Sequence, residues 1–147
     1  MSVEVDVSVG DGLRSPVDPG RIEAVVRHVL AARGVAEAEI SVALLDDRGI
    51  AALNEQYLSH GGPTDAITFT LSEPGDPPLG DICIGLEQAV RQAPEFGASP
   101  DEEVLRLAVH GTLHVLGFDH PEGAERTDSE MFRLQESLLR EFLQVGT

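Results

Sequence analysis

The sequence of 147 residues has no lysine, no tryptophan, a single cysteine and few aromatic side chains, which make up 4% of the chain. The lone Cys83 excludes an internal disulfide, so the expected location is the cytoplasm, where thiols stay reduced. No run of about 18 apolar residues is present, so we expect no membrane span. The opening segment MSVEVDVSVG alternates acidic and apolar side chains, which is typical of neither a signal peptide nor a transit peptide.

Positive charge is also scarce. The ten basic residues are all arginines and face 26 acidic residues, for a formal net charge of −16. Such a surface repels phosphate backbones, so we expect neither a DNA partner nor diffuse binding of RNA. RNA could bind only where a local cluster of arginine and histidine outweighs the overall field. Basic proteins suit this charge better as partners, although solubility or a salty cytoplasm explains the acidity more simply.

The length and the hydrophobic content of 41% fit one domain that spans residues 1–147. Asp18-Pro19 and Ser99-Pro100 are typical helix starts, with an N-cap followed by proline at the first helical position. We therefore predict an α+β fold with one mixed sheet of about four strands, packed by helices, whose last two strands form a hairpin-like pair. Apolar periodicity predicts strands at residues 3–9, 40–44, 64–71 and 80–86, and helices at 19–33, 50–57, 100–116 and 125–143.

The segment HGTLHVLGFDH, residues 110–120, contains three of the five histidines. His110 and His114 lie four residues apart on a predicted helix, so one face presents both to the same ion. Gly117 can take the left-handed conformation that ends a helix, which lets His120 fold back toward the pair. Three histidines with one open position are the ligand set of a catalytic zinc site, because a closed structural site takes four ligands. We predict one zinc per chain at the end of the penultimate helix.

The spacing coincides with the metzincin protease pattern H-E-x-x-H-x-x-G-x-x-H, but Gly111 stands where the protease has its catalytic glutamate. Glycine cannot transfer a proton, so peptide hydrolysis is disfavoured while the metal site is retained. Residues from elsewhere could assist the site, and no catalytic base is identified. Asp119 could act as a base, but a role in accepting hydrogen bonds from backbone amides at the turn or in orienting a ligand histidine is favoured. Asp65 and Asp81 divide between structural hydrogen bonding and support of a ligand histidine.

Other candidate residues have simpler explanations. His28 is expected at the surface of the first helix, and His60 in a solvated loop, although His60 could approach the metal. Cys83 is expected to pack in a buried strand rather than to bind metal. Arginines recur every seven residues near the C-terminus and could contact RNA, but pairing with glutamates four residues away on the same helix is favoured. This helix carries Arg126, Glu130, Arg133, Glu136 and Arg140.

With these motifs the chain resembles the YbeY family, bacterial ribosomal RNA maturation factors described as metal-dependent endoribonucleases. The family pattern H-G-x-L-H-x-x-G-[YF]-D-H is matched at every fixed position by residues 110–120. An upstream block is matched by Asn54, Tyr57 and PTDAITF, with alanine at the first aliphatic position of its P-T-D-[VI] pattern. The L-G-D-I strand is matched by residues 79–82.

The resemblance implies an α+β fold with a central sheet of about four strands, zinc bound by His110, His114 and His120, and a substrate near the 3′ end of small-subunit ribosomal RNA. Many family members carry arginine directly after the tyrosine, where this chain has Leu58. The phosphate-contacting role of that arginine therefore does not carry over, and His60 is a candidate substitute.

The function predicted by this resemblance is that of a zinc-dependent endoribonuclease in ribosomal RNA maturation and ribosome assembly. Zinc suits phosphodiester hydrolysis because it lowers the pKa of water and polarises a phosphoryl oxygen. Two alternatives stay open. The first is a non-catalytic, zinc-stabilised assembly factor that docks on ribosomal proteins, and the second, less favoured, is a metallopeptidase.

Overall fold

The structure, a computed structural model, describes residues 2–58, 61–118 and 130–145. The four predicted strands are confirmed, as are the helices that follow Asp18 and Ser99. In chain order the elements are β1 (Val3–Val9), α1 (Pro19–Ala32), β2 (Ala38–Leu45), α2 (Asp47–Leu58), β3 (Ala66–Thr70), β4 (Leu79–Gly85), α3 (Leu86–Gln92), a 3-10 turn (Ala93–Phe96), α4 (Pro100–Val115) and α5 (Glu130–Val145).

Helix α3 and the 3-10 turn are absent from the predicted elements. The prediction extended the fourth strand through Leu86, whereas the chain becomes helical at this residue. The helix is only seven residues long and begins after Gly85, which forms no side-chain cap, so neither periodicity nor a start signal marks it in the sequence. The predicted beginning of the last helix, residues 125–129, lies outside the described residues.

One mixed sheet has the strand order β1-β2-β4-β3. The pairs β1–β2 and β2–β4 are parallel, while β3 and β4 are antiparallel, as the hairpin-like pair predicts. The chain passes from β2 through α2 to β3 before it forms β4. Because β4 lies between β2 and β3, β3 is at the edge of the sheet. This edge position leaves one side of β3 open to the cavity beside α4 described below.

Two clusters of buried side chains cover the two faces of the sheet. The larger lies between the sheet and helices α1, α4 and α5, and includes Ile40 and Ile82. The smaller lies on the other face beneath α2 and contains Ile50, Ile67 and Cys83. Cys83 therefore packs as predicted, and burial raises the pKa of its thiol. Within the described residues no helix is both long and apolar enough to cross a membrane.

Helix α4 lies directly on β4 because glycine occurs at both points of contact. A Cβ atom on Gly111 would lie 2.6 Å from Cγ2 of Ile82, and one on Gly80 would lie 2.6 Å from Cγ2 of Val115. Real Cβ atoms do not approach other atoms this closely, so larger residues at these positions would force the helix off the sheet. Gly111 therefore lies on the side of α4 that faces the sheet.

Candidate active site

Local sequence signals set the beginning and the end of α4. The Ser99 hydroxyl accepts a hydrogen bond from the Glu102 amide, and Pro100 occupies the first turn. The acidic residues of this turn are attracted by the positive end of the helix dipole and stabilise it. The helix stops at Leu116 because Gly117 adopts a positive φ of 99°. Both signals agree with the prediction, and they place His110 and His114 in the last two turns.

The two described histidines of the motif meet at one point. The Nε2 atoms of His110 and His114 are 3.1 Å apart, and the rings are edge to face with centroids 4.6 Å apart. Two nitrogens bound to one tetrahedral zinc at about 2.0–2.1 Å lie about 3.3–3.4 Å from each other. The pair therefore fits a shared metal ion with little movement of either ring.

The third predicted ligand, His120, lies outside the described residues, as do Asp119 and His60. Within residues 2–58, 61–118 and 130–145 no group of three or more potential metal ligands occurs. The complete ligand set of His110, His114 and His120 thus stays a prediction.

Gln135 of α5 orients His110. The Nδ1 atom of His110 lies 2.7 Å from Oε1 of Gln135, and Nε2 of Gln135 donates a 3.0 Å hydrogen bond to Oε2 of Glu136. The carboxylate can only accept, so it fixes the amide with its oxygen toward the histidine. Nδ1 of His110 must then carry the proton, and the lone pair of Nε2 is left facing His114. This arrangement prepares Nε2 for metal binding.

A buried polar wall supports that glutamine. Arg106 donates to both carboxylate oxygens of Glu136 at 2.8 and 3.0 Å and to Glu103 at 2.6 Å. Gln92 donates to Glu103 at 2.6 Å and to Asp65 at 3.1 Å. Burial raises the pKa of the Glu103 carboxyl, and the hydrogen bonds from Gln92 and Arg106 offset this only in part. Burial also opposes the charge of Arg106, but its bonds to the two carboxylates outweigh this and raise its pKa.

This wall is not apparent from the sequence, and the predicted partner of Glu136 is wrong. Glu136 pairs with Arg106 on α4, 30 residues away, and not with Arg140 on its own helix. The available signal was the pair Glu103 and Arg106 inside the otherwise apolar stretch of α4. Charged residues at such positions are rarely buried unless they are paired.

The structure describes two of the residues whose roles were left open. The Asp65 carboxylate accepts a hydrogen bond from Gln92, and its backbone oxygen accepts one from the Gly85 amide, so structural hydrogen bonding accounts for its contacts. Asp81 lies on the face of β4 opposite Ile82, and therefore on the far side of the sheet from α4. It stands in register with Ser41 of β2 and Phe69 of β3.

The surface position predicted for His28 is wrong in part. Its side chain is 25% exposed, its ring lies 5.8 Å from that of Phe142, and its Nε2 is 3.6 Å from a carboxylate oxygen of Glu141. Helix α5 covers this part of α1, which the sequence of α1 alone does not indicate.

The histidine pair opens into a cavity of about 790 Å³ between β3 and α4. We call this cavity the histidine cleft. Three of the five phenylalanines of the chain line it, in a protein with few aromatic residues. The cleft thus combines a nitrogen ligand pair with apolar and aromatic walls. Residues of its lining include Thr64, Thr68, Phe96, His110, His114 and Phe132.

An α+β fold in which a helix presents two histidines, four residues apart, to an open cleft is typical of metal-dependent hydrolases. The chain belongs to the YbeY family, because the family model described as "Endoribonuclease YbeY" matches residues 14–143. A relative from Moorella thermoacetica, named Endoribonuclease YbeY, is 42% identical over 139 residues, covering 86% of each chain. A relative of the same name from Micrococcus luteus is 39% identical, over 95% of this chain and 92% of its own.

The fold also has a counterpart among solved structures. The solution structure of TM1509 from Thermotoga maritima matches with a TM-score of 0.65 and 25% sequence identity. The match covers 97% of this chain and 89% of that protein. The overall fold is therefore shared with an experimental structure.

Proposed function

We propose that this protein is a zinc-dependent endoribonuclease that acts in ribosomal RNA maturation, near the 3′ end of small-subunit ribosomal RNA, and in ribosome assembly. The observation that carries the proposal is the 3.1 Å approach of the His110 and His114 Nε2 atoms at the wall of an open cleft. Membership of a family described as endoribonucleases supplies the substrate class. The protein works in the cytoplasm with ribosomal RNA as its partner, and neither DNA nor a membrane is involved.

His110, His114 and His120 would hold one zinc ion. When bound, zinc supplies Lewis-acid polarisation of a phosphoryl oxygen and lowers the pKa of water at its open position. Gln135 keeps the Nε2 lone pair of His110 directed at the metal position through the hydrogen bond to Nδ1. Arg106 is paired with the carboxylates of Glu103 and Glu136. Its charge therefore holds Glu136, which fixes Gln135, and does not meet the substrate.

Peptide hydrolysis is further disfavoured by the packing of Gly111. The catalytic glutamate of a metzincin would start from this position, but here the position faces Ile82 of the sheet. A side chain at this point could not be added without displacing the helix, so it could not act as a base in the cleft.

A docking role in ribosome assembly is favoured by a different surface. On the face of the sheet away from α4, Asp6, Ser41 and Asp81 stand in one row across β1, β2 and β4. Two carboxylates on a sheet face, in a chain of net charge −16, suit a basic protein partner. This surface lies apart from the histidine cleft, so docking and hydrolysis are compatible.

The proposed hydrolysis is tested by removing and restoring the metal. We expect the zinc-loaded protein to cleave a small-subunit ribosomal RNA precursor with a 3′ extension. Dialysis against a chelator should abolish cleavage, and one equivalent of zinc should restore it. The measurement is gel electrophoresis of end-labelled RNA.

Three other outcomes would contradict the proposal. Equal cleavage with and without zinc would indicate a contaminating nuclease. Intact RNA together with binding of ribosomal proteins would leave only the assembly-factor role. Cleavage of an unfolded protein substrate, lost with the metal, would instead establish a peptidase.

The hydrogen bond from Gln135 gives a separate prediction. Gln135→Leu keeps the size of the side chain but removes the acceptor for Nδ1 of His110, so we expect zinc affinity to fall about 10- to 100-fold. Competition with a fluorescent zinc chelator measures this, and Gln56→Leu, at an exposed position on α2, is the matched control. Equal zinc affinity in the two variants would show that Gln135 does not prepare the ligand.

A further inference from the structure

A second groove, of about 490 Å³, adjoins the histidine cleft along α5. We call it the α5 groove. Phe96, Arg106 and Phe132 line both cavities, so the two form one continuous surface. A ligand that reacts at the histidines therefore has a direct path into this groove. Its lining includes Phe96, Arg106, Phe132, Arg133, Glu136 and Arg140.

Two exposed arginines define the charge of the α5 groove. Arg133 and Arg140 lie seven residues apart on one helix, about 10 Å along its axis, and both line the groove. Glu136, which lies between them, binds Arg106 of α4 with both carboxylate oxygens, so its negative charge is balanced by an arginine of another helix. Arg140 makes no ion pair within the part of the chain that the structure describes. Two exposed guanidinium groups therefore line one groove, in a chain that carries only ten arginines.

An aromatic ring stands where the two cavities join. Phe96 is 44% exposed, and the guanidinium of Arg106 lies 4.9 Å from its ring centroid. The arginine holds the ring by a cation–π contact and is itself anchored by two carboxylates. A fixed, exposed ring beside basic groups is the combination that proteins use to bind unpaired bases and their phosphates.

We propose that the α5 groove binds the stretch of single RNA strand next to the phosphodiester that is cleaved. One unpaired base stacks on Phe96. The phosphates beyond this base, on the side away from the histidine cleft, pair with Arg133 and Arg140. The inference rests on the proposed endoribonuclease function. It explains how an RNA strand reaches a site in a protein whose overall charge repels it, because a local pair of arginines outweighs the field at short range.

The test compares Arg133→Gln/Arg140→Gln with Arg14→Gln/Arg48→Gln. The control arginines are also exposed and lie outside the groove, so both double variants change the net charge equally. Fluorescence anisotropy at 4 °C measures binding of a labelled single-stranded oligoribonucleotide from the 3′ end of the precursor to the protein as purified, with gels to verify that the RNA is intact. We expect about 10-fold weaker binding for the groove variant at low salt.

The dependence on salt makes the test specific for phosphate contacts. Loss of two contacts should reduce the slope of log K against log salt by about 1.4, since each single-strand contact contributes about 0.7. The control variant should keep the wild-type slope. Phe96→Leu, which retains an apolar side chain but not the ring, should weaken binding about 5-fold without changing the slope.

Failure of the inference and failure of the proposed function give different results. If the wild-type protein cleaves and binds RNA while the groove variant matches its control in affinity, salt slope and KM, the groove assignment is wrong and the nuclease stands. If the wild-type protein neither cleaves nor binds RNA, both are wrong. A KM raised about 10-fold with kcat nearly unchanged would support the groove as a binding site.

Discussion

His114→Ala should remove the bound zinc and lower RNA cleavage by about 100-fold or more. The substitution deletes one of the two nitrogens that meet at 3.1 Å, and a direct ligand contributes more than the surrounding hydrogen bonds, whose loss already costs about 10- to 100-fold in affinity. Elemental analysis of gently purified protein should find about one zinc per chain in the wild type and very little in the variant. Cleavage of the ribosomal RNA precursor should fall in parallel.

The matched control is His28→Ala, which removes a histidine of α1 that packs against α5. It should keep its zinc and its activity even if the melting temperature falls slightly. Zinc content in His114→Ala equal to that of the wild type would contradict the site, as would a wild-type content below about a fifth of an equivalent, since three histidines should hold zinc firmly.

Gly111→Ala should lower the free energy of unfolding by about 3 kcal/mol, although alanine is the better helix former by about 1 kcal/mol. The added methyl group would lie 2.6 and 2.9 Å from two carbon atoms of Ile82, between a helix and a sheet that cannot both move. Urea denaturation measures the loss. Gly61→Ala is the control, because a Cβ atom at that position meets no atom within 4 Å.

A double variant identifies the cause of this loss. Ile82→Ala alone should cost about 2–5 kcal/mol because it leaves a cavity in the core. Combined with Gly111→Ala it should cost at least about 1 kcal/mol less than the two single losses together, since each change relieves the other. Strict additivity would mean that the contact between position 111 and Ile82 does not set the packing distance of α4.

Much of the architecture was predictable because its signals are local. Alternating valines mark β1, and the caps Asp18 and Ser99 mark the starts of α1 and α4 through bonds to amides two or three residues away. The spacing of His110 and His114 places both on one helical face by geometry alone. The seven-residue helix α3 was missed because it has neither a side-chain cap nor enough length to show a period.

The errors concern contacts between distant segments. The charge pattern of α5 suggested that Glu136 pairs with Arg140, but burial makes the pairing with Arg106 more favourable, because an unpaired buried guanidinium is costly. His28 was expected at the surface, since nothing in α1 indicates that α5 covers it. In both cases the missing information was which helix lies alongside.

The sequence by itself thus determined the α+β class, the ends of the main helices and the pair of histidines on one face, because each depends on residues within a few positions of one another. Only the tertiary structure decided why Gly111 is glycine, how Gln135 orients His110 and where exposed arginines meet an aromatic ring beside the cleft. These features depend on which elements pack against each other, and the free energy of that packing comes from the whole core and is not encoded in any single segment.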